Sequence, residues 1–248
     1  MKIIQKTKEK LVFSAEVGES LANAIRRSVI EIPILAIDEV EIYKNDSALY
    51  DEIIANRLGL MPLKMEKGMN LKSECSCEGK DCGKCTIQLK LTKKGPGIAY
   101  SGDLKGKAEV VYEKMPLVIL NDEQELELVA SARVGKGKEH AKFTPGLFYY
   151  RSLANIEIKN EAWKKCSEAC PLGLISADKK EGIKEVWKCD MCEACVEACK
   201  KEGIEGVKIT PTEELIFFIE SWGQLDAQEI FNQSIDVLRD NLKILGKA

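Results

Sequence analysis

Ten cysteines lie in two stretches of a 248-residue chain, close enough within each stretch for their thiolates to share a metal. The first stretch reads Cys75-x-Cys77-x4-Cys82-x2-Cys85, within SECSCEGKDCGKCTIQ. Four thiolates inside so short a segment, with Gly79 and Gly83 between them, can close a tetrahedral zinc site in one loop. All four ligands would come from protein, so no position would stay open for catalysis and the zinc would be structural. The Cys-x-Cys start departs from paired Cys-x2-Cys knuckles, which leaves a metal-free loop or another metal as the alternative.

The second stretch holds Cys166-x3-Cys170-Pro171 and then Cys189-x2-Cys192-x2-Cys195-x3-Cys199. The latter is the spacing of bacterial ferredoxins, in which three thiolates bind one iron–sulfur cluster and the fourth reaches across to another. When Cys166 and Cys170 are aligned as the third and fourth cysteines of a companion motif, the two earlier ligand positions fall on Asn160 and Trp163. Neither supplies a thiolate. One complete site remains, from Cys170, Cys189, Cys192 and Cys195, and its natural occupant is a [4Fe–4S] cluster, with [3Fe–4S] the alternative form on isolation. Cys166 and Cys199 are left as free thiols, a redox-sensitive pair, or ligands of a cluster completed in some other way.

Several strands and helices around these cysteines have clear sequence patterns. Leu11 to Val17 reads as a strand. Ser20 is the expected N-cap of a helix carrying Leu21, Ala24, Ile25 and Val29 on one face, which Pro33 ends near Ile32. Val40 and Ile42 alternate with Glu39 and Glu41 as in a half-buried strand. A second helix is expected from near Ser47 to Leu58, stopped by Gly59 and Pro62. TIQLKLT, AEVVYE and VKITPTEELIFFIES carry strand patterns. Asp226 opens a final helix in which Ile230, Ser234, Val237, Asn241 and Leu245 recur at heptad-like spacing beside Phe231, Leu238 and Leu242. Such a helix packs on its own domain or on another subunit, and periodicity does not choose between them.

With 37 basic and 40 acidic residues, the chain has no charge surplus to devote to phosphate backbones, so nucleic acid is not expected as a direct partner. No apolar run is long enough to span a membrane and no secretory signal opens the chain, so a cytoplasmic protein is expected. Cysteines in that compartment point to metal rather than to a disulfide framework. No aspartate-rich magnesium motif or Gly-rich phosphate loop is present. His140, the only histidine, has no nucleophile motif beside it and reads as structural.

Four further segments carry a resemblance. NAIRRSVIEIPILAIDEVEI (Asn23 to Ile42), DEIIANRLGLMPL (Asp51 to Leu63), HAKFTPGLFYY (His140 to Tyr150) and FFIESWGQLDAQEIF (Phe217 to Phe231) resemble, in order, the signatures of the alpha-type subunits of multisubunit RNA polymerases, the archaeal D subunits in particular. The resemblance implies an α+β chain in three parts: a discontinuous dimerisation domain from 1–45 and 205–248, an inserted mainly-β domain over 46–159 carrying the Cys75 to Cys85 loop, and a ferredoxin-like domain over 160–204. The loop is similar to the zinc loop of the eukaryotic counterpart, with one extra residue between its second and third cysteines.

The function implied is that of a non-catalytic assembly scaffold for transcription. The terminal helices, with Ile230, Val237 and Leu238, would pack against the small subunit L, and subunits N and P would join that heterodimer. Read from the helix alone, Arg26 and Arg27 are solvated flank charges; the resemblance turns them toward the large catalytic subunits. The competing reading is a ferredoxin-type electron-transfer protein, which explains only the cysteine-rich module.

Overall fold

A computed structural model of the chain describes residues 1–64, 68–178 and 180–246, except for the side chains of Asn160 and Leu245; the last position of the expected heptad stripe thus lies outside the described side chains. The elements, in order, are β1 (Lys2–Lys6), β2 (Lys10–Ala15), α1 (Glu19–Ser28), β3 (Pro33–Asn45), α2 (Asp51–Gly59), β4 (Thr86–Lys94), β5 (Gly97–Tyr100) and β6 (Lys105–Gly106). They continue with β7 (Pro116–Leu120), β8 (Glu125–Lys136), β9 (Gly146–Ile158), α3 (Trp163–Ala169), α4 (Ala194–Lys201), β10 (Val207–Ser221) and α5 (Ala227–Leu245). The class is α+β. The chain divides into two compact units, one of residues 1–6, 12–22 and 149–218, the other of residues 7–11, 23–148 and 219–248.

The second unit is organised by an antiparallel sheet of order β3-β8-β4-β6. Period-two alternation in β8 sends Leu126, Leu128, Ala130, Ala132 and Val134 into the core, and the matching register brings Leu35 opposite Val134 and Leu89 opposite Ala130. Ile54 and Leu58, a turn apart on α2, close over this face, while the helix's other side stays in water. The short pair β5-β7 adds Ala99, Leu117, Val118 and Leu120 to the same core.

Between Ile37 and Glu39 the register of β3 on β8 slips by one residue, leaving Asp38 as the extra position of a bulge. Its carboxylate meets Arg133 Nε and Lys142 Nζ, each at 2.5 Å, and Arg133 also donates to Glu139 at 3.0 Å. These bonds tie the 3-10 turn Ala141–Phe143 to the sheet, and both cations also lie over the Phe143 ring. Burial alone would push the Asp38 carboxyl up; hydrogen bonds from Lys142 and Arg133, with their charges, more than offset it and hold the group below its ordinary 3.8. Since the folded value lies below the unfolded one, this stabilisation is complete above that value and is lost as pH falls through the folded one. Asp38→Asn is therefore expected to cost about 2 kcal/mol at pH 7, after discounting for partial exposure. The loss should shrink in urea titrations repeated below pH 4.

Three local expectations are corrected. Ser20 is not the N-cap: α1 already includes Glu19, and the Ala22 N–H donates to the Gly18 carbonyl at 3.1 Å. The second helix starts at Asp51 rather than near Ser47, because Asn45 Oδ1 accepts from the backbone N–H and hydroxyl of Ser47 and its Nδ2 donates to Asp51, which holds the approach as a turn. AEVVYE is not a strand. Its backbone is split between two neighbours: the Lys64 N–H donates to Glu109 and the Val111 N–H to Pro62, while Gly102 N–H donates to Glu113. Only an isolated bridge, Leu63 to Val110, results.

The first unit contains most of a four-stranded sheet of order β1-β2-β10-β9, together with α3 and α4. Phe13 and Phe217, on β2 and β10, stack with ring centroids 4.8 Å apart. Helices α3 and α4 pack together around Ala162, Cys166, Ile175, Cys195 and Cys199.

Candidate metal centres

The Cys75 to Cys85 loop leaves the 3-10 turn Lys72–Glu74 and feeds directly into β4. Glu78, Gly79 and Asp81 have positive φ (53°, 79° and 52°), the reversals that let so few residues turn back on themselves. Asp81 then staples the loop, accepting from Lys72 at 2.6 Å and from the Thr86 hydroxyl at 2.7 Å. Within it, Cys75 Sγ lies 3.6 Å from Cys82 Sγ, Cys77 Sγ 3.6 Å from Cys85 Sγ, and Cys82 Sγ 3.9 Å from Cys85 Sγ. All four sulfurs fall within 4.8 Å of one another. A tetrahedron with metal–sulfur bonds of about 2.3 Å has edges of about 3.8 Å, so the sulfurs stand where one tetrahedral ion needs them. The backbone N–H of Lys84 also points at Cys82 Sγ, 3.4 Å away, a second contact of the kind that orients metal thiolates. Crowding splits the proton affinities: hydrogen bonds led by that from Cys75 pull the Cys77 thiol down to about 6. The four can bind a metal.

The other six cysteines separate into two groups. Cys170 caps the end of α3, its N–H donating to the Cys166 carbonyl at 3.1 Å. Cys189 follows the 3-10 turn Val186–Lys188, Met191 and Glu193 take left-handed conformations (φ 57° and 59°), and Cys195 lies in the first turn of α4. The two reversals curl the Cys-x2-Cys-x2-Cys segment around one point. As a result Cys170, Cys189, Cys192 and Cys195 line a single pocket, walled by Ile156, Leu174, Ile175 and Ile209. Cys192 is exposed and Cys195 buried, and burial pushes the Cys189 and Cys195 thiols up. Among the described residues these four do not converge to the single-ion spacing of the first loop. An all-sulfur donor set around an apolar pocket, spread wider than one ion requires, fits a cluster.

Cys166 and Cys199 stand apart from that pocket. Their sulfurs are 3.7 Å apart in the α3–α4 core, and burial together with Cys199 pushes the Cys166 thiol up to about 12. Trp163, where a companion motif would need a thiolate, packs against this same core with its Nε1 buried and without a hydrogen-bond partner. An indole fills the position.

The remaining predicted residues are distributed as follows. Arg26 donates from Nε and Nη2 to Asn23 Oδ1 at 3.2 and 2.9 Å and is half-buried, whereas Arg27 is exposed. Ile230 is fully buried within its own chain, so it supports α5 rather than offering contact to a partner; Val237 and Leu238 are half-buried. His140 is exposed and its Nδ1 accepts from the Lys142 N–H at 3.1 Å, capping the turn that Asp38 anchors. Sequence reading missed Asp38, Arg133 and Lys142: Asp38 lies 95 and 104 residues from its two cationic partners, and the three follow no motif. A lone acid in an otherwise apolar strand run, ILAID, was the one available signal.

Comparison with known proteins places these features. Residues 40–146 match the family model described as the RNA polymerase Rpb3/RpoA insert domain. The DNA-directed RNA polymerase subunit Rpo3 of Methanothermobacter thermautotrophicus is 38% identical over 251 residues, covering 95% of this chain and 93% of that protein. The Rpo3 subunits of Archaeoglobus fulgidus and Pyrococcus horikoshii are 34% and 35% identical, covering 92% and 96% of this chain and 89% and 93% of theirs. A match of that extent cannot come from the cysteine-rich module alone, and the chain belongs to the family of archaeal RNA polymerase subunit Rpo3, the D subunits.

Proposed function

We propose that this chain is the assembly scaffold of a cytoplasmic archaeal RNA polymerase, pairing with the small subunit L and then receiving subunits N and P and the large catalytic subunits. The observation that carries the reading is the far end of α5. Leu242 and Ile244 are 58% and 68% exposed, and Ile30, in the 3-10 turn Val29–Glu31 that α5 packs against, is 38% exposed. Large apolar groups on a helix that already spends Ile230 and Ser234 on its own chain suit a second partner. In this reading residues 1–45 and 205–248 form the dimerisation domain, 46–159 the insert and 160–204 the ferredoxin-like module, with Arg26 and Arg27 turned toward the large subunits. The Cys75 to Cys85 loop holds zinc, and Cys170, Cys189, Cys192 and Cys195 hold one [4Fe–4S] cluster; both serve as staples, since metal binding contributes directly to folding.

The electron-transfer alternative falls, because the relatives match 92–96% of the chain and not the module by itself. Co-expression of the chain with subunit L tests the scaffold reading. A stable one-to-one complex is expected, and the paired change Leu242→Asp and Ile244→Asp should weaken it at least a hundredfold, the scale of about 3 kcal/mol. An unchanged affinity would overturn the assignment of this helix face.

A further inference from the structure

The turn that delivers Cys189 to its pocket is held from outside that pocket. Trp187, at the centre of the 3-10 turn Val186–Lys188, lies against Phe218 of β10 with ring centroids 6.2 Å apart. Beneath it Val12, Ile216 and Phe218 form a buried cluster onto which Ile4 and Trp187 pack. Phe218 is also stacked by Tyr149 at 4.7 Å and carries the Arg151 guanidinium 5.0 Å from its centroid. Arg151 reaches past the ring, and its Nη2 donates to the Trp187 carbonyl at 3.0 Å.

That placement is unusual in its chemistry. Arg151 Nε is buried without a hydrogen-bond partner, and among the described residues no carboxylate pairs with the guanidinium. A cation held in this way keeps only two strong attachments, an aromatic face and one backbone carbonyl. The carbonyl belongs to the residue two before Cys189, whose own N–H closes the turn on Val186 at 3.0 Å. The outer Lys188–Glu185 pair is exposed on both sides and adds little. The grip on the turn is therefore the Arg151 bond and the Trp187 packing.

We infer that Arg151 and Trp187 form a latch seating the Cys189 turn on β9 and β10, with Arg151 as a positioning residue, so that occupancy of the cysteine pocket and the order of those strands are coupled. The inference rests on the reading that Cys170, Cys189, Cys192 and Cys195 hold a cluster. Coupling of this kind is reciprocal. A loosened latch frees the Cys189 thiolate to leave its iron, and an emptied pocket frees the turn and uncovers Phe218.

The test uses the full chain purified anaerobically, with hydrogen exchange read over residues 149–153 and 214–218 and iron release followed with a chelator. Stripping the cluster from the wild type is expected to raise exchange in both segments about tenfold. Arg151→Ala and Trp187→Ala should retain full iron, release it about tenfold faster, and show raised exchange that stripping no longer changes. Trp187→Phe, which keeps an aromatic face, should restore slow release, and Arg151→Lys, which keeps the charge without the fork, should lie between. Ile4→Ala, on the same apolar cluster but off the latch, should raise exchange yet leave iron release and the response to stripping intact. Iron present with exchange that ignores stripping, or Arg151→Ala releasing iron at the wild-type rate, would overturn the latch alone. A wild type without iron would overturn the cluster reading and the latch with it.

Discussion

Cys195→Ala is expected to reduce iron from about four atoms per chain to near none, with the matching loss of sulfide and of visible absorbance. Alanine suits the first turn of α4, so the substitution removes a ligand while sparing the helix. The consequence for folding follows from size. The segment from α3 to α4 is short enough that a single apolar core of its size supplies no more than about 3–5 kcal/mol, and the core it contributes to is built partly from cysteines. Without the cluster, α3 and α4 should lose most of their exchange protection while the sheet β3-β8-β4-β6 keeps its own. Cys166→Ala serves as the counterpart, because Cys166 pairs with Cys199 outside the four-cysteine pocket; its iron content should stay near four. Eight irons in the wild type, or retained iron in Cys195→Ala, would defeat the single-cluster assignment.

The second large effect belongs to the first loop. Cys85→Ala should lower bound zinc from about one per chain to none, and a chelator should do the same to the wild type reversibly. Structural zinc typically binds with about 10–16 kcal/mol at neutral pH. All four ligands lie between Cys75 and Cys85, so most of that free energy folds the loop and little of it reaches the core. Hydrogen exchange should therefore rise sharply over residues 70–85, with the main melting transition moving by no more than about 4 °C. Elemental analysis that finds iron in this loop, or undiminished zinc in the variant, would reverse the assignment of the two centres.

The elements with strong periodicity were readable in advance. VKITPTEELIFFIES is β10, and the heptad-like run after Asp226 is α5, because alternation of period two and recurrence near three and a half are each compatible with one backbone geometry. AEVVYE shows where such reasoning stops. Its valines and tyrosine suit a strand as well as the residues of TIQLKLT, which became β4, but a strand needs a continuous partner, and its backbone groups were claimed by residues 62–64 on one side and Gly102 on the other. Ser20 and Ser47 show a second limit. Both are good cap residues, yet Gly18 and Asn45 upstream had already set the local turn.

The donor chemistry was written in the order of residues: ten thiols in two stretches, three of them at the spacing of a cluster-binding loop, and a companion motif lacking two of its cysteines. The sequence also carried the family, through four short segments in order. How the sulfurs share space came from the folded chain, which draws four together at single-ion spacing, four around a wider pocket and two into a helix interface. It alone placed Asp38 between Arg133 and Lys142, and Arg151 between Phe218 and the Trp187 carbonyl. The physical reason is the same in each case. Short spacings are governed by backbone geometry that the chain carries locally, whereas a contact across a sheet depends on register and bulges set by the packing of the whole core.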